Sequence, residues 1–140
     1  MYWLTSEPER EAMRVDPGST VPIFTQIVNE IQSAIVAGVF AEGERIPSAR
    51  ELALELRVNP NTVQKAYTEL VELGVIESKR GIGKFVCKRG ARSALRQSED
   101  AIKDSIRTAI SLGRSARLSD KRLREIFTEV LKSTPRRETA

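Results

Sequence analysis

The residues best equipped for chemistry in this 140-residue chain lie between Arg50 and Lys84. Asn61, Thr62, Gln64, Lys65 and Thr68 fall close together, and every one of them donates or accepts hydrogen bonds. Amides of the Asn and Gln type match the N6 and N7 edge of adenine, and a lysine ammonium reaches guanine or a phosphate. Arg50 carries a planar fork of donors suited to phosphate or to the guanine edge. Further along, Lys79, Arg80 and Lys84 surround Gly81 and Gly83, where the absence of a side chain lets the backbone approach a ligand closely. Duplex recognition is the chemistry that these residue types share. For each polar side chain taken singly, solvation at a helix surface is the competing reading, and for Arg50 it is an ion pair with a nearby glutamate.

Catalysis has far less to work with. The chain has no histidine and a single cysteine, Cys87. Neither an all-protein zinc cage nor a Cys/His or Ser/His nucleophile pair can be assembled from that inventory. No enzyme activity, metal or cofactor is therefore expected. Cys87 follows Phe85 and Val86 and reads as a small buried hydrophobe, with an oxidisable thiol as the alternative.

Charge is distributed unevenly. Residues 1–77 hold six basic and twelve acidic groups, a net −6, whereas residues 78–98 hold seven basic groups and no acid. The remainder, 99–140, is +3, and the whole chain is +4. A basic island between two less basic regions is the footprint of a phosphate-binding surface, and a solvated linker is its competitor. No run of about 20 apolar residues is present, and the first residues lack the basic start and apolar stretch of a secretory signal. The expected location is the cytoplasm, with no membrane partner.

The elements that must position these side chains follow from hydrophobic period. Ile23, Ile27, Ile31, Ala34 and Ile35 recur three and four apart after Pro22 and stop at Gly38, which predicts a first helix. Val39 to Pro47 reads as a connector. Ser48-Ala49-Arg50-Glu51 has the form of a capping box ahead of Leu52, Ala53 and Leu56, and Val63, Ala66, Tyr67, Leu70 and Leu73 mark the inner face of a third helix ended by Gly74. Two β-rich runs, 75–80 and 84–88, then flank Gly81-Ile82-Gly83 as a hairpin. A helical pattern resumes near Ala91 and carries Leu95, Ile102, Ile106 and Ile110 to a stop at Gly113. The last helix, capped by Ser119, carries Leu123, Ile126, Phe127, Val130 and Leu131 as one stripe.

Taken together, these elements predict a mainly α fold with a small β-hairpin: a winged helix-turn-helix followed by a two-helix dimerisation tail. The expected divisions are a flexible extension over 1–20 that includes Trp3, a DNA-binding head over 21–88, the tail over 89–133 and a disordered end over 134–140. Gly38-Val-Phe-Ala-Glu-Gly43-Glu-Arg-Ile-Pro47-Ser48-Ala-Arg50-Glu-Leu52-Ala53, then Val58-Asn-Pro-Asn-Thr62-Val63-Gln-Lys-Ala66-Tyr67, then Leu73-Gly74 and Gly81-Ile-Gly83, resembles the N-terminal domain of the GntR family of bacterial transcription regulators. The likeness covers about residues 21–87, and the opening Val21-Pro-Ile-Phe-Thr-Gln-Ile with the brief tail resembles the YtrA-like subfamily. That resemblance implies DNA contacts at Arg50, Asn61, Thr62, Gln64 and Lys65, with Gly81 and Gly83 at the tip of a wing. Two positions depart from it. Arg57 stands where such turns often carry glycine, which predicts a turn of different conformation, and Pro60 stands where several relatives carry a DNA-touching arginine.

A tail with amphipathic helices exposes its apolar stripe unless something covers it. A second copy is the expected cover, through Ile102, Ile106, Ile110, Leu123, Ile126, Phe127 and Val130, and packing back onto the head is the alternative. A symmetric homodimer would place two heads on an inverted-repeat operator of double-stranded DNA, as a repressor. About 50 tail residues cannot enclose a typical ligand pocket of a few hundred cubic ångströms within one protomer, whereas a crevice between two copies could hold something small, so a small-molecule effector stays open. A winged helix that binds protein instead of specific DNA is the second function these residues allow.

Overall fold

The computed structural model describes residues 13–136. Expectations for residues 1–12, Trp3 among them, and for 137–140 lie outside these described residues. The element order is α1 (Ile23–Val36), α2 (Ala49–Leu56), α3 (Pro60–Glu72), β1 (Ile76–Lys79), β2 (Gly83–Val86), α4 (Gly90–Ser115) and α5 (Asp120–Ser133). The described residues divide into two compact units, one running to Ser98 and the other starting at Glu99. This is the predicted order of helices about one hairpin.

In the first unit, α1 buries Ile27, Ile31 and Ile35 along one face, α2 buries Leu52 and Ala53, and α3 buries Val63, Ala66, Tyr67 and Leu70. All of these belong to one core that also takes in Phe40, Ile46, Val75, Ile76, Val86 and Ala94. Because a fully buried aliphatic or aromatic side chain contributes about 1.5–3 kcal/mol, this cluster is what holds the three helices at fixed angles. Met13 joins the same core at 7% exposure, Val15 packs against it, and Gln26 bonds both the backbone amide and the carbonyl of Asp16. The core of the head thus takes in Met13, which precedes residue 21.

Local signals explain the helix ends. Gly38, at φ 79, closes α1 with Val39 N–H bonded to the Ala34 carbonyl. Ser48 Oγ accepts from the Glu51 amide at 3.1 Å, and the Ser48 amide donates to Glu51 Oε2 at 3.3 Å, so the capping box forms as read from sequence. The expected helix stop at Gly113 does not occur. α4 continues to Ser115, and Gly113 is a buried interior position where an added Cβ would overlap Leu123 Cδ2 of α5. Here glycine serves close helix–helix approach, and the left-handed residue that ends the helix is Arg117 at φ 62. Ser119 caps α5 through the Arg122 amide, with Asp120 in the first turn.

The connector before α2 is more than a loop. Arg45 forms a bridge to Phe85, Ile46 N–H donates to the Lys84 carbonyl at 3.0 Å, and Val86 N–H donates to the Glu44 carbonyl at 2.9 Å. Residues 44–46 therefore run antiparallel beside β2. Sequence patterning missed this pairing because a stretch of such length has no room for alternation to show. Its effect is to lock the hairpin to the segment that leads into α2.

Candidate nucleic-acid interface

Between α2 and α3 the chain turns through Arg57, at φ 56 and ψ 47. This is the left-handed conformation that glycine adopts freely and that costs another residue about 1 kcal/mol or more. The turn keeps its geometry despite the arginine, contrary to the altered conformation expected from sequence. It is held by the Arg57 and Val58 amides, both donating to the Ala53 carbonyl, while Val58 packs against the core.

Pro60 opens α3 at its first position, where a missing N–H is no loss. Asn59 Oδ1 accepts from the Asn61 amide at 2.8 Å, and the Asn59 carbonyl accepts from the Thr62 and Val63 amides at 2.9 and 3.4 Å. The Asn61, Thr62 and Val63 amides at the start of α3 are thus engaged within the chain. What this end of the helix offers a ligand is therefore its side chains.

Those side chains divide cleanly. Val63, Ala66, Tyr67 and Leu70 have no exposed surface, whereas Asn61, Gln64, Lys65 and Thr68 are exposed and Thr62 is half-buried. The Tyr67 hydroxyl donates to the Pro47 carbonyl at 2.6 Å, tying α3 to the residue just before the α2 cap. Burial, with a smaller contribution from the charge of Glu51, pushes the Tyr67 phenol well above its ordinary value, so it remains a neutral donor. Lys65 differs from its neighbours. Its ammonium lies 4.0 Å from the centre of the Phe24 ring, over a shallow groove lined also by Thr68, Glu69 and Glu72. The Thr68 hydroxyl is turned back to the Gln64 carbonyl. Arg50, near the start of α2, is exposed and has no ion pair among the described residues.

The hairpin pairs Ile76 with Val86, Glu77 with Phe85, Ser78 with Lys84 and Lys79 with Gly83. Paired residues share a face of the sheet, which sorts its cations. Lys79 shares its face with Phe85, over whose ring its ammonium sits at 4.6 Å, and with Glu77 at 3.7 Å. Lys84 lies on the opposite face, the one whose inner end is the buried pair Ile76 and Val86, and bonds Ser78 Oγ at 2.8 Å. Arg80, Gly81 and Ile82 form the exposed tip, with Gly81 at φ 76. Cys87, past the end of β2, is held with its thiol raised above the ordinary value by burial and then by Glu77, which disfavours the reactive thiolate.

In the second unit, the residues expected to pair two copies lie on α4 and α5. Ile102, Ile106, Phe127 and Val130 are exposed, with Phe127 and Val130 at 55% and 56%, while Ile110, Leu123 and Ile126 are half-buried. Among the described residues no helix is long and apolar enough to cross a membrane, and no cluster of possible metal ligands occurs.

A family model described as bacterial regulatory proteins, gntR family, matches residues 24–86, the span from α1 to the end of β2. The HTH-type transcriptional repressor YtrA of Bacillus subtilis is 32% identical over 118 residues, which are 84% of this chain and 91% of that protein. The chain belongs to the GntR family. This YtrA-like GntR protein is a DNA-binding transcription regulator. A GntR family transcriptional regulator from Listeria monocytogenes matches it with a TM-score of 0.69 at 32% identity, covering 83% of this chain and 99% of that one. The AraR DNA-binding domain, solved in complex with operator ORX1, matches at a TM-score of 0.50 and 32% identity over 56% of this chain and 96% of that one.

Proposed function

We propose that this GntR regulator is a cytoplasmic repressor that binds an inverted-repeat operator as a homodimer and catalyses no reaction. Residues 21–88, with the preceding anchor at Met13, act as the reading head, and residues 89–133 act as the pairing tail. α3 enters the major groove by its N-terminal half, where Asn61, Thr62 and Gln64 meet base edges. Lys65 contributes less to this reading, since its ammonium is engaged with Phe24. Arg50 grips the backbone or a guanine, and Lys79, Arg80 and Lys84, with Gly81 and Gly83, make the wing that clamps adjacent phosphates.

The observation that carries this reading is the division of α3 between wholly buried Val63, Ala66 and Tyr67 and exposed Asn61 and Gln64. A helix pinned so firmly on one side presents the other at a fixed height and angle, as groove reading requires. The AraR domain bound to operator and the name repressor borne by YtrA of Bacillus subtilis support it. The test is to sequence the fragments that purified full-length protein retains from a fragmented genomic pool. Enrichment of two inverted half-sites is expected, and retention without any shared motif would overturn the reading.

A further inference from the structure

We propose that Arg45, which lies outside both the helix-turn-helix and the hairpin, is a phosphate-contacting residue of the wing, and that position 83 is a glycine because the Arg45 side chain crosses it. This rests on the reading of the hairpin as a DNA-contacting wing. Arg45 sits opposite Phe85 in an antiparallel bridge, so its side chain rises on the face that carries Phe85, Glu77, Lys79 and Gly83. From there it runs along the sheet toward the tip. A Cβ built on Gly83 would lie 2.8 Å from Arg45 Nε, 3.5 Å from Cδ and 3.6 Å from Cζ. The guanidinium is therefore laid across the bare backbone of Gly83, the partner of Lys79 and the residue next but one to the tip glycine.

Electrostatics give this placement its meaning. Lys79 on the same face is already shared with Glu77 and the Phe85 ring, and Lys84 on the opposite face is bonded to Ser78. Arg45 is exposed and has no ion pair among the described residues. Of the cations near the tip, Arg45 and Arg80 thus keep their donors open, and the guanidinium fork fits phosphate through two parallel bonds. Gly83 sits at φ 139, a conformation that side chains rarely adopt. Glycine at this position accordingly answers two demands: the turn of the strand and the passage of Arg45 over it.

The experiment titrates full-length wild-type, Arg45→Ala, Arg45→Lys and Arg80→Ala proteins with a fluorescent mixed-sequence duplex over several salt concentrations, with a thermal melt of each. A phosphate contact is sequence-independent, so no operator is needed. Arg45→Ala is expected to weaken binding on the order of tenfold at low salt and to flatten log affinity against log salt by about one unit, as Arg80→Ala does. Arg45→Lys should keep the slope. If Arg80→Ala flattens the slope and Arg45→Ala does not, the proposal for Arg45 is overturned while the wing reading stands. If neither changes it, the wing reading itself fails and the proposal with it. Gly83→Ala is then compared in wild-type and Arg45→Ala backgrounds. The φ 139 backbone makes it costly in both backgrounds, and its loss of affinity should be the larger in wild-type, because only there does the new methyl also displace the guanidinium. Equal losses in both backgrounds would refute the link between the two residues.

Discussion

The head and the tail handle apolar surface in opposite ways. In the head, Ile27, Ile31, Val63, Ala66 and Tyr67 expose nothing, and even the segment before α1 contributes Met13 to the interior. In the tail, no residue of α5 is buried, and Phe127, Val130 and Leu131 stay 55–65% exposed along one stripe. One unit is finished within a single chain, whereas the other is amphipathic without a core of its own. The lesson is that α3 is held from within one chain, whereas the apolar stripe of α5 is left exposed, which is what the proposed pairing of two copies would cover.

The sharpest way to break this contrast is to charge the stripe. Phe127→Glu with Val130→Glu should leave the head folded, turn a dimer into a monomer by sedimentation, and lower affinity for a two-half-site operator by about 10²–10⁴-fold, since linked binding depends on effective concentration. A smaller effect is expected within the head. Gln64→Ala and Asn61→Ala should each cost about 1–3 kcal/mol on operator while hardly changing binding to mixed-sequence duplex, as read by fluorescence titration on both. Such a pair of results would place reading in α3 and leave pairing to the tail.

Two further substitutions probe how the head holds its own shape. Tyr67→Phe removes the donor to the buried Pro47 carbonyl and should destabilise the head by about 1–3 kcal/mol in chemical denaturation. Wild-type stability should also fall with pH above about 10. There the unfolded chain gives up the phenolic proton while burial keeps it on in the fold, so the stabilisation is full below that pH and is lost as pH climbs toward the raised folded value. The Phe variant should lack this dependence. The smallest effect, opposite in sign, belongs to Arg57→Gly. At φ 56 glycine relieves the left-handed strain, and the head should gain about 0.5–1 kcal/mol after its greater unfolded-state entropy is offset.

Much of this organisation is legible in the sequence, for identifiable reasons. α1, α2, α3 and α5 announce themselves because a 3.6-residue apolar period coincides with a stop glycine at Gly38 and Gly74, a Ser-x-x-Glu box at Ser48 and a cap at Ser119. Gly113 misleads because glycine signals both a helix end and a close helix contact, and only the position of Leu123 separates the two. Arg57 misleads in the other direction: paired amides and a packed Val58 outweigh a local cost of about 1 kcal/mol. Arg45 is invisible from local pattern, since its placement beside the hairpin comes from a bridge to Phe85, forty residues on. In the candidate interface, residue types at Asn61 and Gln64 suffice to suggest groove reading. The sorting of Lys79 and Lys84 to opposite faces and the engagement of Lys65 with Phe24 require the register and the packing.

The division of labour is tested most directly by titrating wild-type protein and the Phe127→Glu/Val130→Glu variant against two duplexes, one with a single operator half-site and one with the inverted pair. Wild-type protein should bind the paired duplex at least about a hundredfold more tightly than the single one. The variant should bind both alike, with the wild-type affinity for a single half-site. A variant that keeps the preference for the paired duplex would contradict the account, because pairing would then reside in the head.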